Sequence, residues 1–261
     1  MHDTARNRAE PSLIDVTRGE WLPALRPAPP DATVVAIGDV HGEAALLRAM
    51  HAAIADELTA LPHRHATVVH LGDLIDRGPA SIEAIGLARR GIPGTANVIL
   101  TGNHEDILVR ALRGGDTAAC EKWLRMGGTS VLAEYSLSPE DGWPERLRAA
   151  MGPELIGWLE GLPHLVRLGD LVFVHGGIEP DRPLAAQRRE DCAWIWDRWL
   201  AADGPFEENV GVVHGHIPVD AVDLAHPHKI DIDTRIYVSG CLSALVLHGE
   251  SMRLIQATCS G

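Results

Sequence analysis

Three short stretches set carboxylates, amides and imidazoles beside glycines: Gly38-Asp39-Val40-His41-Gly42, Gly72-Asp73-Leu74-Ile75-Asp76-Arg77-Gly78 and Gly102-Asn103-His104-Glu105. Two histidine-glycine stretches follow, His175-Gly176-Gly177 and His214-Gly215-His216. Asp-x-His offers an oxygen and an imidazole nitrogen to one point, a pairing that suits transition metals. Flanking glycines let the backbone turn sharply and approach a ligand closely. Asp39, His41, Asp73, Asn103, His175 and one of His214 and His216 supply six donors, too many for one catalytic metal that keeps an open position. They suffice for two ions sharing one carboxylate. So many imidazoles argue against calcium or magnesium and suit manganese, iron or zinc, among which ligand softness does not choose. Two such ions ~3.5–4 Å apart clamp a phosphoryl group and lower the pKa of a shared water, whose hydroxide attacks phosphorus in line.

The neighbours of these donors complete that chemistry. His104 is placed to protonate a leaving alkoxide, and Asp76 to orient and charge it. Arg77 can hold phosphate oxygens with its forked donors. Taken alone, Asp73 and Asp76 read equally well as turn residues and helix caps. The recurrence of the arrangement tips the balance toward a shared site.

The elements that must position these residues are legible. Thr33–Ile37, Ala66–Leu71 and Asn97–Leu100 are apolar, partly β-branched runs that read as strands, each ending in one of the polar turns. Helical patterns follow over about Glu43–Leu61, Ser81–Arg90 and onward from His104. The turns recur at about one βαβ unit, and the ends of such strands are where open α/β sheets bind ligands. From Asp106 to about Gly161 the chain reads as a helical insertion covering one side of the site, broken at Gly114-Gly115, Gly127-Gly128, Ser138-Pro139 and Gly152-Pro153. Beyond it come a hairpin around Gly169-Asp170, a tryptophan-rich helix over Cys192–Leu200, and strands near Val210–Val213, Lys229–Asp233, Leu242–His248 and Met252–Ala257. Residues 1–30 are polar and proline-rich, a mobile or surface-draped extension, with Leu13, Ile14, Val16, Trp21 and Leu22 able to dock. The catalytic domain is expected over 31–261.

The net charge of −13, from 36 acidic and 23 basic residues, argues against a general nucleic-acid or membrane-surface partner, but not against a phosphorylated substrate met through metals. No secretory signal and no ~20-residue apolar span are seen. Cys120, Cys192, Cys241 and Cys259 are scattered, as in reduced thiols of a cytoplasmic protein; two disulfides are the alternative.

The three stretches together resemble the signature of the PPP-type metallophosphoesterases, which include serine/threonine protein phosphatases and symmetric diadenosine tetraphosphatases. His175-Gly176-Gly177 and Gly215-His216 continue it in order, so the resemblance spans Thr33 to the C-terminus. Trp123-Leu-Arg-Met-Gly-Gly, Val212-Val-His-Gly-His-Ile-Pro-Val and Ile232-Asp-Thr are most similar to the small bacterial protein phosphatases. The resemblance implies a calcineurin-like α/β (α+β) fold, a β-sandwich flanked by helices with the site at one edge. It implies one metal on Asp39, His41 and Asp73 and another on Asp73, Asn103, His175 and His216, leaving His214 as a supporting residue.

Three positions depart from that pattern. Trp194-Ile195-Trp196 stands where bacterial relatives have Trp-Ile-Arg, whose arginine is a second phosphate clamp. Arg198 or Arg235 is the candidate replacement; on a continuous helix a shift of two residues turns ~200°, which weighs against Arg198. Arg235 follows Ile-Asp-Thr in place of glycine, and Cys241 stands where arginine is common. The resemblance implies phosphomonoester hydrolysis on phosphoserine or phosphothreonine proteins. The alternatives are hydrolysis of diadenosine tetraphosphate or another small phosphorylated metabolite, and a weakly active scaffold that recognises phosphorylated partners.

Overall fold

The computed structural model describes residues 13–140 and 142–259. Residues 1–12 of the expected extension lie outside that range. The remainder of the extension enters the fold: β1 (Ile14–Arg18) and β2 (Leu22–Pro23) both pair with the last strand. Buried Glu57 fixes this segment, pairing with Arg18 and Arg253 through one carboxylate oxygen.

The next units follow the apolar pattern closely. β3 (Ala32–Ile37), α1 (Ala44–Ala60), β4 (His65–His70), α2 (Ser81–Arg90) and β5 (Ala96–Ile99) form parallel β3-β4-β5 pairings. The third strand ends one residue earlier than Asn97–Leu100 predicts, because Leu100 turns into the inter-sheet core. α3 (Asn103–Leu112), α4 (Thr117–Trp123), α5 (Thr129–Glu134) and α6 (Trp143–Glu160) make up the helical segment. A π-helical turn at Leu124–Gly128 links α4 to α5, and α6 bends at Gly152, as its Gly-Pro pair predicts.

β6 (Leu165–Leu168) and β7 (Leu171–Val174) form the predicted hairpin. The tryptophan-rich helix does not form as one piece. α7 (Arg189–Trp194) and α8 (Asp197–Leu200) are separated by extended Ile195 and by Trp196. The three indoles have different destinations: Trp194 bonds Asp106, Trp199 is buried against Phe206 and His214, and Trp196 stands beside His216. One helical face cannot serve all three. β8 (Gly211–His214), β9 (Lys229–Asp231), α9 (Ile236–Ser239), β10 (Cys241–His248) and β11 (Ser251–Cys259) finish the chain.

Two sheets result, of order β1-β11-β10-β3-β4-β5, with β2 also on β11, and β6-β7-β8-β9. Strand side chains alternate between faces. Val34, Ala36, Val69 and Leu71 thus meet Leu171, Phe173, Val213 and Ile230 between the sheets. Val35, Ile37 and Val68 pack outward under α1 and α2, and Val172, Val174 and Val212 pack on Trp199 and Phe206. Each buried valine, leucine, isoleucine or phenylalanine among them contributes about 1.5–3 kcal/mol. This is the β-sandwich flanked by helices that the sequence implies, and it aligns the carboxyl ends of β3, β4, β5, β7 and β8 along one edge. All four cysteines are free thiols, and no helix among the described residues is long and apolar enough to cross a membrane.

Candidate dinuclear metal centre

The strand ends bring the predicted donors together. Asp39 and His41 follow β3, Asp73 follows β4, Asn103 opens α3 after β5, His175 follows β7 and His216 follows β8. His41, Asp73, Asp76, Arg77 and His216 all have positive φ, half of the ten described non-glycine residues that do. Such backbone costs on the order of 1–3 kcal/mol per residue and gathers at functional sites.

Asp73 is the centre. Its Oδ2 lies 3.6 Å from His41 Nε2 and its Oδ1 3.4 Å from His175 Nε2. Asp39 Oδ2 is 3.9 Å from His41 Nε2. On the other side, Asn103 Oδ1 lies 2.9 Å from His175 Nε2 and 3.0 Å from His216 Nδ1. Two convergent groups therefore share Asp73, one with His41 and His104 and one with His175 and His216; Asp39 stands beside His41 at the first, and Asn103 Oδ1 beside both imidazoles of the second. His104 Nε2 also approaches Asp73 Oδ2, at 3.8 Å.

The ring orientations fit metal binding. His41 Nδ1 is 3.1 Å from the Ile75 carbonyl and His175 Nδ1 is 3.0 Å from that of Leu71. Each bond fixes a tautomer and leaves Nε2, on the Asp73 side of the ring, as a lone-pair donor. Burial lowers the pKa of His41, of His175 and of His216, the last to about 3, so these rings are neutral, as ligands must be. The carboxylates divide. Burial, then Asp233 and Asp73, raise Asp39 well above the usual range; burial raises Asp231 well above it and Asp233 to about 6. Asp73 goes the other way, burial raising its carboxyl but His175, His104 and His41 together holding it below the usual range; a divalent cation bound here would favour the ionised form of all of these groups.

Around the donors, Glu105 accepts the backbone N–H groups of Asp73, Leu74 and Gly102 at 2.7–2.9 Å, tying two of the turns together. Gly102 is required by close approach: a Cβ there would collide with Asp73 Oδ1 and backbone nitrogen. His104 Nδ1 bonds Asp76 Oδ2 at 2.6 Å, and Asp76 Oδ1 accepts Trp123 Nε1 at 3.1 Å. His104 Nε2 is buried with no partner among the described residues. Burial opposes protonation of His104, but Asp73 and Asp76 outweigh it and raise its pKa. His214 is apart from the cluster, bonded to Trp199 Nε1 at 3.0 Å and lying 3.5 Å from Asp231.

Asp39, His41, Asp73, Arg77, Asn103, Trp196, His216, Pro218, Asp233 and Tyr237 line a cavity of about 200 Å³. Arg77 is the one guanidinium on it among the described residues; its Nη1 donates to His41 Nε2 at 3.1 Å. Arg198 and Arg235 are not part of the lining. Arg198 is drawn off by Glu179 and Asp181, each at 2.6 Å, and Arg235 lies 3.4 Å from Asp220. Trp196, Tyr237 and Asp233 were not picked out as lining residues from the sequence. For Trp196 the signal was present, since it occupies the position of the missing arginine.

Residues 32–240 match the sequence model of the calcineurin-like phosphoesterases. The chain belongs to that family. It is therefore a metallophosphoesterase, of a family that uses a dinuclear metal site. It is 27% identical over 235 residues to an asymmetrical bis(5′-nucleosyl)-tetraphosphatase PrpE of Bacillus velezensis, covering 82% of this chain and 86% of that one. A symmetrical bis(5′-nucleosyl)-tetraphosphatase of Methylococcus capsulatus is 32% identical over 147 residues, 56% of this chain and 44% of its own length. Among solved structures, a cold-active protein-tyrosine phosphatase of a Shewanella species shares the fold with a TM-score of 0.57 at 21% identity, over 89% of this chain and 81% of that one.

Proposed function

We propose that this phosphoesterase hydrolyses the polyphosphate chain of a bis(5′-nucleosyl) polyphosphate. The observation that carries the reading is Trp196, 43% exposed on the cavity wall, with its ring edge-on to His216 at 5.2 Å. An indole there withdraws a second phosphate clamp and offers a face on which a nucleobase stacks, worth about 1–3 kcal/mol. The named tetraphosphatase relatives support this substrate class over the phosphoprotein expected from the motifs.

Asp39, His41 and Asp73 would hold one divalent ion and Asp73, Asn103, His175 and His216 the other, with manganese the proposed metal and iron or zinc the alternatives. When bound, the metals supply Lewis acidity to the phosphoryl oxygens and acidify water. Arg77 binds the phosphoryl oxygens through its fork. Water forms the new P–O bond as the bond to the leaving oxygen breaks; His104 Nε2 gives that oxygen its proton, and the proton lost by the attacking water passes to solvent, from which His104 is recharged. Asp76 holds the Nδ1 hydrogen throughout and stabilises the charged ring. A departing phosphate, with a second pKa near 6, needs that proton less than a departing alkoxide does.

The test is manganese-dependent turnover of diadenosine tetraphosphate, a phosphothreonine peptide and an aryl phosphate side by side, with Asp73→Asn as control. The reading expects the dinucleotide to have the highest kcat/KM. Preference for the peptide would overturn it in favour of a protein phosphatase. Bound metal with no turnover of any substrate would favour a phospho-recognition scaffold.

A further inference from the structure

A second, larger concavity adjoins the metal-donor cavity. It measures about 490 Å³ and is lined by Glu43, Arg77, Gly78, Pro79, Ser130, Ala133, Glu134 and Tyr237. Arg77 and Tyr237 line both spaces, so the two are separated by a single layer of side chain. That layer is built: the Arg77 guanidinium lies 4.0 Å from the Tyr237 ring centroid, and the Tyr237 ring meets His41 edge-on at 5.3 Å.

We infer that this groove receives the second nucleoside of the substrate, with Glu43 accepting its ribose hydroxyls and Tyr237 facing its base. The inference rests on the dinucleotide reading above. Three features carry it. The first is continuity: a phosphate held by Arg77 sits at the boundary, so the chain beyond it continues into the groove. The second is size. The inner cavity of about 200 Å³ is filled by a phosphoryl group and the metals, with one base stacked at its rim on the exposed Trp196, and leaves no space for a second nucleoside, whereas 490 Å³ is in the range of pockets that hold small organic ligands.

The third feature is the chemistry of the lining. Glu134 is already committed, because its two oxygens accept Ser81 N–H at 2.7 Å and Ile82 N–H at 3.0 Å and so cap α2. The Ser130 hydroxyl donates to the Gly127 carbonyl at 3.0 Å. Glu43 is half-buried, and its carboxylate makes no cap on α1 and has no hydrogen-bond or ion-pair partner among the described residues, burial alone raising its pKa. A free carboxylate beside a phosphate-binding position is the arrangement that accepts a ribose diol in dinucleotide-binding folds. The same carboxylate repels a further phosphate, so the groove favours an uncharged, hydroxyl-bearing group over a polyphosphate end.

The experiment compares the wild type with Glu43→Ala and with Ala133→Trp, which fills the groove from an exposed position. Manganese-loaded enzymes are assayed on diadenosine tetraphosphate, adenosine 5′-tetraphosphate and p-nitrophenyl phosphate. Thermal melts check that each variant folds. In the wild type the dinucleotide is expected to exceed adenosine tetraphosphate in kcat/KM. In both variants the ratio of dinucleotide to aryl phosphate kcat/KM is expected to fall about tenfold, the scale of one or two lost hydrogen bonds to a charged acceptor. Ratios that stay at wild-type values, in a protein that does cleave the dinucleotide, would overturn the groove assignment and leave the substrate reading standing. A wild type inactive on the dinucleotide, yet active on a phosphopeptide with flanking lysines and sensitive to Glu43→Ala, would overturn both and assign the groove to a basic peptide.

Discussion

His104 Nδ1 lies 2.6 Å from Asp76 Oδ2, and neither side chain is exposed to solvent. Burial works against the charged imidazole, and the carboxylates of Asp73 and Asp76 reverse that effect. A proton donor with a raised pKa loses its proton as pH rises through that value. Asp76→Asn removes one of the charges, so the alkaline fall in kcat is expected at lower pH, with kcat for an alkyl phosphate reduced on the order of a hundredfold. Diadenosine tetraphosphate, with its better leaving group, should lose less. A pH–rate profile unchanged from wild type would remove His104 from the role of acid.

Arg77 donates to the His41 lone pair that a metal would use. Arg77→Ala should therefore raise KM about thirtyfold, through lost charged hydrogen bonds, while tightening manganese binding, because a cation has left the neighbourhood. Titration calorimetry with manganese separates the two effects. Weaker metal binding in the variant would contradict this account.

Trp196→Arg puts a guanidinium on the cavity wall in place of an indole. The expected outcome is a shift in preference of about tenfold toward the aryl phosphate and away from the dinucleotide, since a second charged clamp replaces a stacking face. Steady-state kcat/KM values on the two substrates decide it.

Gly102 has an ordinary extended φ of −93°, so alanine there is opposed by contact with Asp73 rather than by torsion. Gly102→Ala is expected to cost about 1–3 kcal/mol and to displace the carboxylate shared by the two donor sets. Metal analysis after dialysis should find less than the wild-type stoichiometry. Full metal content would show that the β4 turn yields more easily than the geometry indicates.

His70 is fully buried, with both ring nitrogens unpartnered among the described residues, and stacks edge-on to His51 at 5.2 Å. Burial lowers its pKa to about 3. The unfolded chain, with an ordinary value of 6.5, takes up a proton that the folded chain refuses. This contribution is fully present above pH 6.5 and is lost as pH falls toward 3, at about 1.4 kcal/mol per pH unit. Urea denaturation at pH 7, 6 and 5 should show a slope that His70→Leu reduces by about one proton.

The three polar turns were legible because each follows an apolar run with strand periodicity and opens with glycine, signals local to a few residues. The parallel β3-β4-β5 order follows from those runs alternating with helices. The break between α7 and α8 was not legible, because it is dictated by partners distant in sequence: Asp106 for Trp194, His214 for Trp199 and His216 for Trp196. The contribution of the helical segment was hidden for the same reason. Trp123 reaches Asp76 and Glu134 caps α2 across 47 and 53 residues, and nothing in the local pattern of either distinguishes it from an ordinary helical residue. Arg198 and Arg235 were named for their type, but acidic neighbours claim both.

The antiparallel pairing of β1 with β11 sets Ile14 opposite Cys259, and Cys259 N–H bonds the carbonyl of Gly240, which closes the helix that carries Tyr237. The first strand thus begins, and the last strand ends, at the rim of the site. A recruiting module joined by a short linker just beyond Cys259 would be leashed at the mouth, holding its cargo at a local concentration in the millimolar range without any change to the machinery inside.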